Sequence, residues 1–132
     1  SIRDETLHVE SVSKLFRQFI AENPSIWTDK LKYEIYCAAE RVVELEDKFI
    51  DICFNKAEIP DLTAKEVKEY IRYIADRRLL GLGMKAIFKS TINPLPWIDM
   101  QLNAVEHTNF FENRATEYAK SSTQGNWQDI FK

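Results

Sequence analysis

The sequence predicts an all-α protein, and three features carry that prediction. Only 3 glycines and 4 prolines interrupt 132 residues, which favours a few long helices over many short strands. Apolar residues recur at helical spacing over three long segments. The third segment opens with Thr63-Ala64-Lys65-Glu66, a capping-box pattern in which threonine and glutamate side chains bind each other's backbone N–H groups.

The segments divide the chain into a helical part and a tail. We predict helices over residues 2–21, from 25 or 28 to 54, and from 63 to the glycines at 81 and 83. Asn93-Pro94-Leu95-Pro96-Trp97 is predicted to exclude regular helix, because proline lacks a backbone N–H. Residues 1–102 are therefore expected to belong to a helical bundle, and residues 103–132 to form an extended C-terminal tail.

Composition narrows the class of protein. Hydrophobic residues make up 45% and charged residues 30%, which is typical of a soluble globular domain. No apolar run is long enough to span a membrane, and residues 1–5 lack a signal-peptide pattern. The net charge of -3, without a visible basic stripe, gives no reason to expect nucleic-acid binding. Cys37 and Cys53 lie too far apart on one helix to bridge, so we expect reduced core residues of a cytoplasmic protein.

Glu5 and His8 are the candidate metal ligands. On a helix that turns roughly 100° per residue, both fall within the apolar face of the first segment. That face comprises Val9, Val12, Leu15, Phe16 and Phe19. A carboxylate buried among such residues needs compensation, which a bound cation provides. Glu-x-x-His on a bundle helix resembles the ligand arrangement of ferritin-like di-iron and di-manganese carboxylate proteins.

The pattern also has simpler interpretations. Glu-x-x-His occurs by chance in many helices, and an ordinary surface pair would look the same. Two ligands cannot complete a metal site, and the sequence holds no second Glu-x-x-His. Glu46 is a weaker candidate ligand, because a buried ion pair with Arg78 between the second and third helices would explain it equally well. Tyrosines of the helices, such as Tyr36, are expected to pack and to make one hydrogen bond.

Four blocks of sequence resemble one family. Arg3-Asp4-Glu5-Thr6-Leu7-His8 resembles the Arg-Asp-Glu-x-Leu-His stretch of the class I ribonucleotide reductase small subunit. Three further blocks resemble, in order, a late bundle helix, the loop after it and the start of the C-terminal tail: Tyr70–Leu80, Asn93–Trp97, and Asn109–Glu112 with Thr116–Tyr118. The resemblance covers essentially the whole chain, and it implies an all-α, ferritin-like bundle.

The resemblance also implies roles for single residues. Glu5 and His8 would bind one metal of a dinuclear iron or manganese/iron centre, with Glu5 placed to bridge both ions. Asp4 would hydrogen-bond a metal-ligand histidine and fix its orientation. Tyr118 would relay a radical to the large subunit, assisted by Glu112. The C-terminal peptide, Trp127–Lys132, would dock on the large subunit.

The family takes its other metal ligands from sequence upstream of this stretch. The resemblance therefore implies that an N-terminal chain or segment completes the bundle and the metal centre, in a split subunit or a fragment. It also implies a dimer of small subunits, a large-subunit partner, and reduction of ribonucleotides to deoxyribonucleotides. Two alternatives are a non-catalytic helical adaptor derived from this subunit and a different ferritin-like dimetal oxidase, which would need no relay tail.

Overall fold

The computed structural model describes residues 2–102, with side chains from Glu5 onward. The elements are α1 (Ile2–Glu22), a 3₁₀ turn (Pro24–Ile26), α2 (Asp29–Lys56) and α3 (Ala64–Gly81). Over this range the all-α prediction is confirmed, and the only β-type pairing described is an isolated bridge between Ile59 and Leu62. Residues up to Pro96 belong to one compact unit, and Trp97 begins a second. The predicted boundary after residue 102 falls where the described range ends and stays a prediction.

Three residues between α1 and α2 determine where the first helix ends and the second begins. Asn23 ends α1, where its side-chain amide donates to the carbonyl oxygen of Phe19 at 3.0 Å. Pro24 then begins the 3₁₀ turn, a position where a missing N–H costs nothing. Thr28 caps α2, since its hydroxyl accepts a hydrogen bond from the Leu31 N–H at 3.2 Å. The later of the two predicted starts of the second helix is therefore the correct one.

The capping box predicted at the start of α3 is confirmed. The Thr63 N–H donates to Oε2 of Glu66 at 2.9 Å, and the Glu66 N–H donates to the Thr63 hydroxyl at 3.2 Å. The Thr63 hydroxyl also donates to Oε2 of Glu66 at 2.7 Å, and this bond, together with the one from the Thr63 N–H, lowers the pKa of the Glu66 carboxyl. The other end of α3 is closed by Gly83, whose φ of 81° lies in the left-handed region that glycine adopts without strain.

The segment around the two later prolines differs from the prediction in one respect. Residues 92–95 are not helical, as expected, and the Leu95 N–H donates to the side-chain oxygen of Asn93 at 2.8 Å. Residues 96–102, however, are helical. Pro96 is compatible with this because it occupies the first helical position, where its N–H would have had no acceptor.

Helices α2 and α3 form an antiparallel hairpin that contains most of the buried core. Its centre consists of Val43, Ile50 and Leu79, which are 3–5% exposed. The Arg72 guanidinium binds both carboxylate oxygens of Asp47, at 2.9 and 2.7 Å. One turn closer to the loop that joins the two helices, the Lys68 ammonium binds Asp51 at 2.6 Å. Bidentate geometry makes the Arg72–Asp47 pair the stronger of the two.

The predicted ion pair between Glu46 and Arg78 is wrong. Among the described residues, the ion pairs between α2 and α3 are those of Arg72 and Lys68. Glu46 is half-buried, while Arg78 lies exposed in the last turn of α3. Both side chains line an apolar groove between the helices rather than neutralising each other. Asp47 is adjacent to Glu46 in sequence and turns toward α3 instead.

Stability is expected to depend on pH through Asp47. The hydrogen bonds from Arg72 hold the pKa of this carboxyl below its ordinary value, so the pair stabilises the fold above about pH 4 and the stabilisation is lost as pH falls below it. Asp47→Asn should lower the free energy of unfolding by about 1 kcal/mol at pH 7, because Arg72 is still partly exposed and screened. Urea unfolding of the metal-free protein between pH 7 and pH 2 measures this difference.

Glu44→Gln is the matched control, since Glu44 pairs with Arg41 on the exposed side of α2. Its effect should be no more than a few tenths of a kcal/mol, approximately the value of an exposed i,i+3 pair. If the difference in unfolding free energy between Asp47→Asn and the wild type stayed constant down to pH 2, the stabilisation by Asp47 would not be ionic.

A buried aspartate fixes the loop that follows α3. Asp76 is 3% exposed, and its carboxylate accepts hydrogen bonds from three backbone N–H groups. The donors are Ile87 at 3.0 Å, Phe88 at 2.9 Å and Ser90 at 2.9 Å. Tyr36 on α2 makes a second attachment: its hydroxyl donates to the carbonyl oxygen of Lys85 and accepts from the N–H of the same residue. The loop is therefore held to both helices of the hairpin.

Two apolar helix faces remain uncovered by the described residues. On α2, the side chains of the outer face are 49–61% exposed: Val42, Leu45, Phe49 and Ile52. The apolar face of α1 is similarly open. Cys37 and Cys53 are free thiols as predicted, but both are exposed, so the prediction that they are core residues is wrong. None of the described helices is long and apolar enough to cross a membrane.

Candidate metal-binding face of the first helix

Glu5 and His8 lie on the first turns of α1. The helix is continuous from Ile2 to Glu22, so residues three apart are neighbours on its surface. At roughly 100° per residue, Glu5 lies beside Val12, and His8 lies between Leu15 and Phe19. The predicted placement of a carboxylate and an imidazole together on the apolar face is therefore consistent with the helix that forms.

The burial expected for this pair is not found in this chain. Glu5 and His8 are both exposed, as are their apolar neighbours: Val12 is 64% exposed, Leu15 69% and Phe19 49%. The reason is that the rest of the chain partly covers only one edge of the apolar face, where Val9, Phe16 and Ile20 are half-buried. Phe16, on that edge, packs edge-on against Trp27 at 5.8 Å between ring centroids. No described element covers the strip that carries Glu5 and His8.

The donor set on this face fits part of a dinuclear centre and cannot complete one. A carboxylate and a neutral imidazole are ligands that iron and manganese accept. Within residues 5–102, however, no three histidine, cysteine, aspartate or glutamate side chains gather closely enough to hold an ion. Glu5 and His8 can therefore provide one side of a site whose remaining ligands come from elsewhere.

The other residues expected at the site are not described by the structure. The backbone of Asp4 belongs to α1, but its side chain lies outside the described set. Glu112 and Tyr118 both lie beyond residue 102, as does the C-terminal peptide 127–132. Their roles in radical transfer and docking stay predictions.

Two arrangements escaped the sequence analysis. The first is the attachment of the loop after α3 to the Asp76 carboxylate. The sequence contains a weak signal for it, because Asp76 lies one turn after Arg72 and next to Leu79 on the inner face of α3, where an unpaired acid would be costly. The second arrangement is a basic cleft formed by Lys14 and Arg17 on α1 with Arg77 and Arg78 on α3. These pairs stand about sixty residues apart in the sequence, so no local pattern joins them.

Comparison with known proteins decides the family. The family profile described as "Ribonucleotide reductase, small chain" matches residues 1–94. The chain belongs to the ribonucleotide reductase small-chain family. A ribonucleoside-diphosphate reductase small subunit of Invertebrate iridescent virus 3 is 48% identical over 128 residues, which is 96% of this chain and 34% of the relative. The beta subunit of Chlamydia pneumoniae ribonucleoside-diphosphate reductase is 39% identical, over 95% of this chain and 35% of the relative.

A solved structure supports the same assignment. A protein from Bacillus halodurans assigned as a class I ribonucleotide reductase superposes with a TM-score of 0.68 and 28% identity, over 74% of this chain and 35% of that one. The small-chain fold is ferritin-like, so the all-α ferritin-like prediction is confirmed together with the family. The chain spans about a third of the length of these relatives.

Proposed function

We propose that this chain supplies one side of a dinuclear metal centre and the radical-relay tail of a ribonucleoside-diphosphate reductase small subunit. The observation that carries the proposal is the pair of Glu5 and His8, one turn apart on a face of α1 left open. Membership of the ribonucleotide reductase small-chain family supports it. The assembled enzyme would reduce ribonucleotides to deoxyribonucleotides.

Each residue of the face has a defined task in this proposal. Glu5, through its carboxylate, and His8, through a ring nitrogen, would hold metal, and Glu5 would contact both ions. Asp4 accepts a hydrogen bond from a histidine N–H, which fixes the tautomer and orientation of that ring. When bound, a dinuclear iron or manganese/iron centre supplies the one-electron oxidant for the reaction.

The remaining ligands come from small-subunit polypeptide outside this sequence. Two ligands do not complete a site, and no further cluster exists in the described part of the chain. The open apolar faces of α1 and α2 are surfaces of the kind that further bundle helices bury. Covering them would also remove water from around Glu5 and His8, which would strengthen their interaction with a cation. We propose that the completed subunit dimerises, as the family implies.

Radical transfer to the large subunit is assigned to the tail. Tyr118 would lose one electron and its phenolic proton when oxidised, and would regain both when it oxidises a cysteine of the large subunit. Glu112 supports that relay, with its carboxylate as a candidate acceptor for the proton. The aromatic and acidic side chains of residues 127–132 suit a hydrophobic groove with a basic rim on the large subunit.

Metal uptake during assembly tests the proposal. We expect this chain alone to retain no stoichiometric iron or manganese after gel filtration. The same chain combined with the preceding part of the small subunit should retain two ions per subunit. Metal content is measured by inductively coupled plasma mass spectrometry, with the preceding part alone as the control. Equal metal content with and without this chain would contradict the proposal and favour a non-catalytic helical adaptor.

A further inference from the structure

A cleft of about 640 Å³ lies between α1 and the C-terminal end of α3, and its lining is strongly basic. Lys14 and Arg17 project from α1, and Arg77 and Arg78 from α3. Glu10 is the single carboxylate among the described lining residues. The whole chain carries a net charge of -3, so this concentration of four cations runs against its average composition.

The cations of the cleft are not accounted for by ion pairs within the described structure. Among residues 5–102, no carboxylate lies within 4.0 Å of any of the four. Arg77 is held by Tyr73, which accepts a hydrogen bond from its guanidinium at 3.2 Å and places its ring beneath it at 5.6 Å. Glu22, the nearest acid along α1 toward its C-terminus, is bound by the side-chain amide of Gln18 at 2.6 Å.

Helix dipoles account for the positions of only two of the four cations. Arg78 lies in the last turn of α3, where a cation is favourable next to free carbonyl groups, and Arg77 is adjacent to it. The last turn of α1 contains no basic residue, so Lys14 and Arg17 have no such role. Four like charges around one cavity repel each other, and an anion bound among them would relieve that repulsion.

We propose that this cleft binds a polyphosphate anion, either free or as the phosphate chain of a nucleotide. Arginine forks match phosphate oxygens bidentately, and a lysine adds a compact charge, so three guanidinium groups and one ammonium suit a chain of several phosphates. The volume lies within the range of small-molecule sites. Ser13 and Glu10 also line the cleft, and their hydroxyl and carboxylate groups could contact a non-phosphate portion.

Calorimetric titration of inorganic triphosphate into the complete small subunit containing this chain tests the proposal. We expect saturable binding with a Kd below about 1 mM at low salt, weakened as sodium chloride is raised. Arg17→Gln combined with Arg78→Gln removes one cation from each helix and should weaken binding at least about tenfold. A nucleoside triphosphate is titrated in parallel: equal affinity assigns binding to the phosphate chain, and higher affinity assigns additional contacts to the nucleoside.

Lys48→Gln combined with Lys65→Gln is the matched control, because both lysines are exposed on α2 and α3 outside the cleft. This variant has the same net charge as the cleft variant and should bind triphosphate like the wild type. If both variants bound triphosphate equally weakly, the loss would be an effect of net charge and the proposed site would be wrong. The absence of saturable binding would also contradict the proposal. Metal content is measured on the same samples and should be unchanged, which separates this site from the dinuclear centre.

Discussion

Replacing Glu5 with alanine in the complete small subunit is expected to remove at least half of the bound metal and to lower deoxyribonucleotide formation by more than about 100-fold. Even residues that only support a metal ligand cost about 10- to 100-fold when mutated, and Glu5 is proposed as a ligand itself. We also propose that its carboxylate contacts the second ion, so its loss should affect both positions. Metal analysis and a radiolabelled ribonucleotide reduction assay measure the two effects.

His8→Ala should remove metal less completely, because one imidazole serves a single ion. Glu22→Ala is the control for both variants: Glu22 is an exposed glutamate in the last turn of α1, at the opposite end of the helix from Glu5 and His8. It should leave metal content and turnover unchanged. If Glu5→Ala retained two ions per subunit, the assignment of α1 as a ligand helix would be wrong.

The local features of this chain were accessible from sequence because they arise from residues within one turn of each other. The Thr63–Glu66 capping box, the end of α1 at Asn23 and the glycine after α3 each depend on neighbouring residues. The same holds for the pairing of Glu5 with His8, which needs only a helix and a spacing of three. Such local features form independently of the other elements that pack against the helix.

The features missed from sequence depend on distant contacts. A helical projection placed Glu46 and Arg78 on facing surfaces, but it could not decide between Glu46 and its neighbour Asp47, and α3 presents Arg72 to the latter. Similarly, the three N–H groups that Asp76 binds lie 11 to 14 residues further along the chain. Burial of α1 was mispredicted for a related reason, since an apolar face identifies a surface that needs covering without identifying what covers it.

The prediction that best separates the candidate functions concerns the tail. The reductase small subunit and a different ferritin-like dimetal oxidase both require a metal centre, but only the reductase requires a radical relay. Tyr118→Phe in the complete enzyme should reduce deoxyribonucleotide formation to the level of an assay without small subunit. Phenylalanine keeps the ring but has no hydroxyl proton to release, so it cannot accept and return the oxidising equivalent. Metal content and affinity for the large subunit should both match the wild type.

Tyr33→Phe is the control for Tyr118→Phe, since Tyr33 lies on α2, is 69% exposed and has no place in the proposed relay. It should support normal turnover. Full turnover by Tyr118→Phe with normal metal content would assign the chain to a different ferritin-like dimetal oxidase. Loss of turnover together with loss of large-subunit binding would instead make Tyr118 a docking residue. Only loss of turnover with metal and docking intact supports a residue that passes an electron and a proton across the interface.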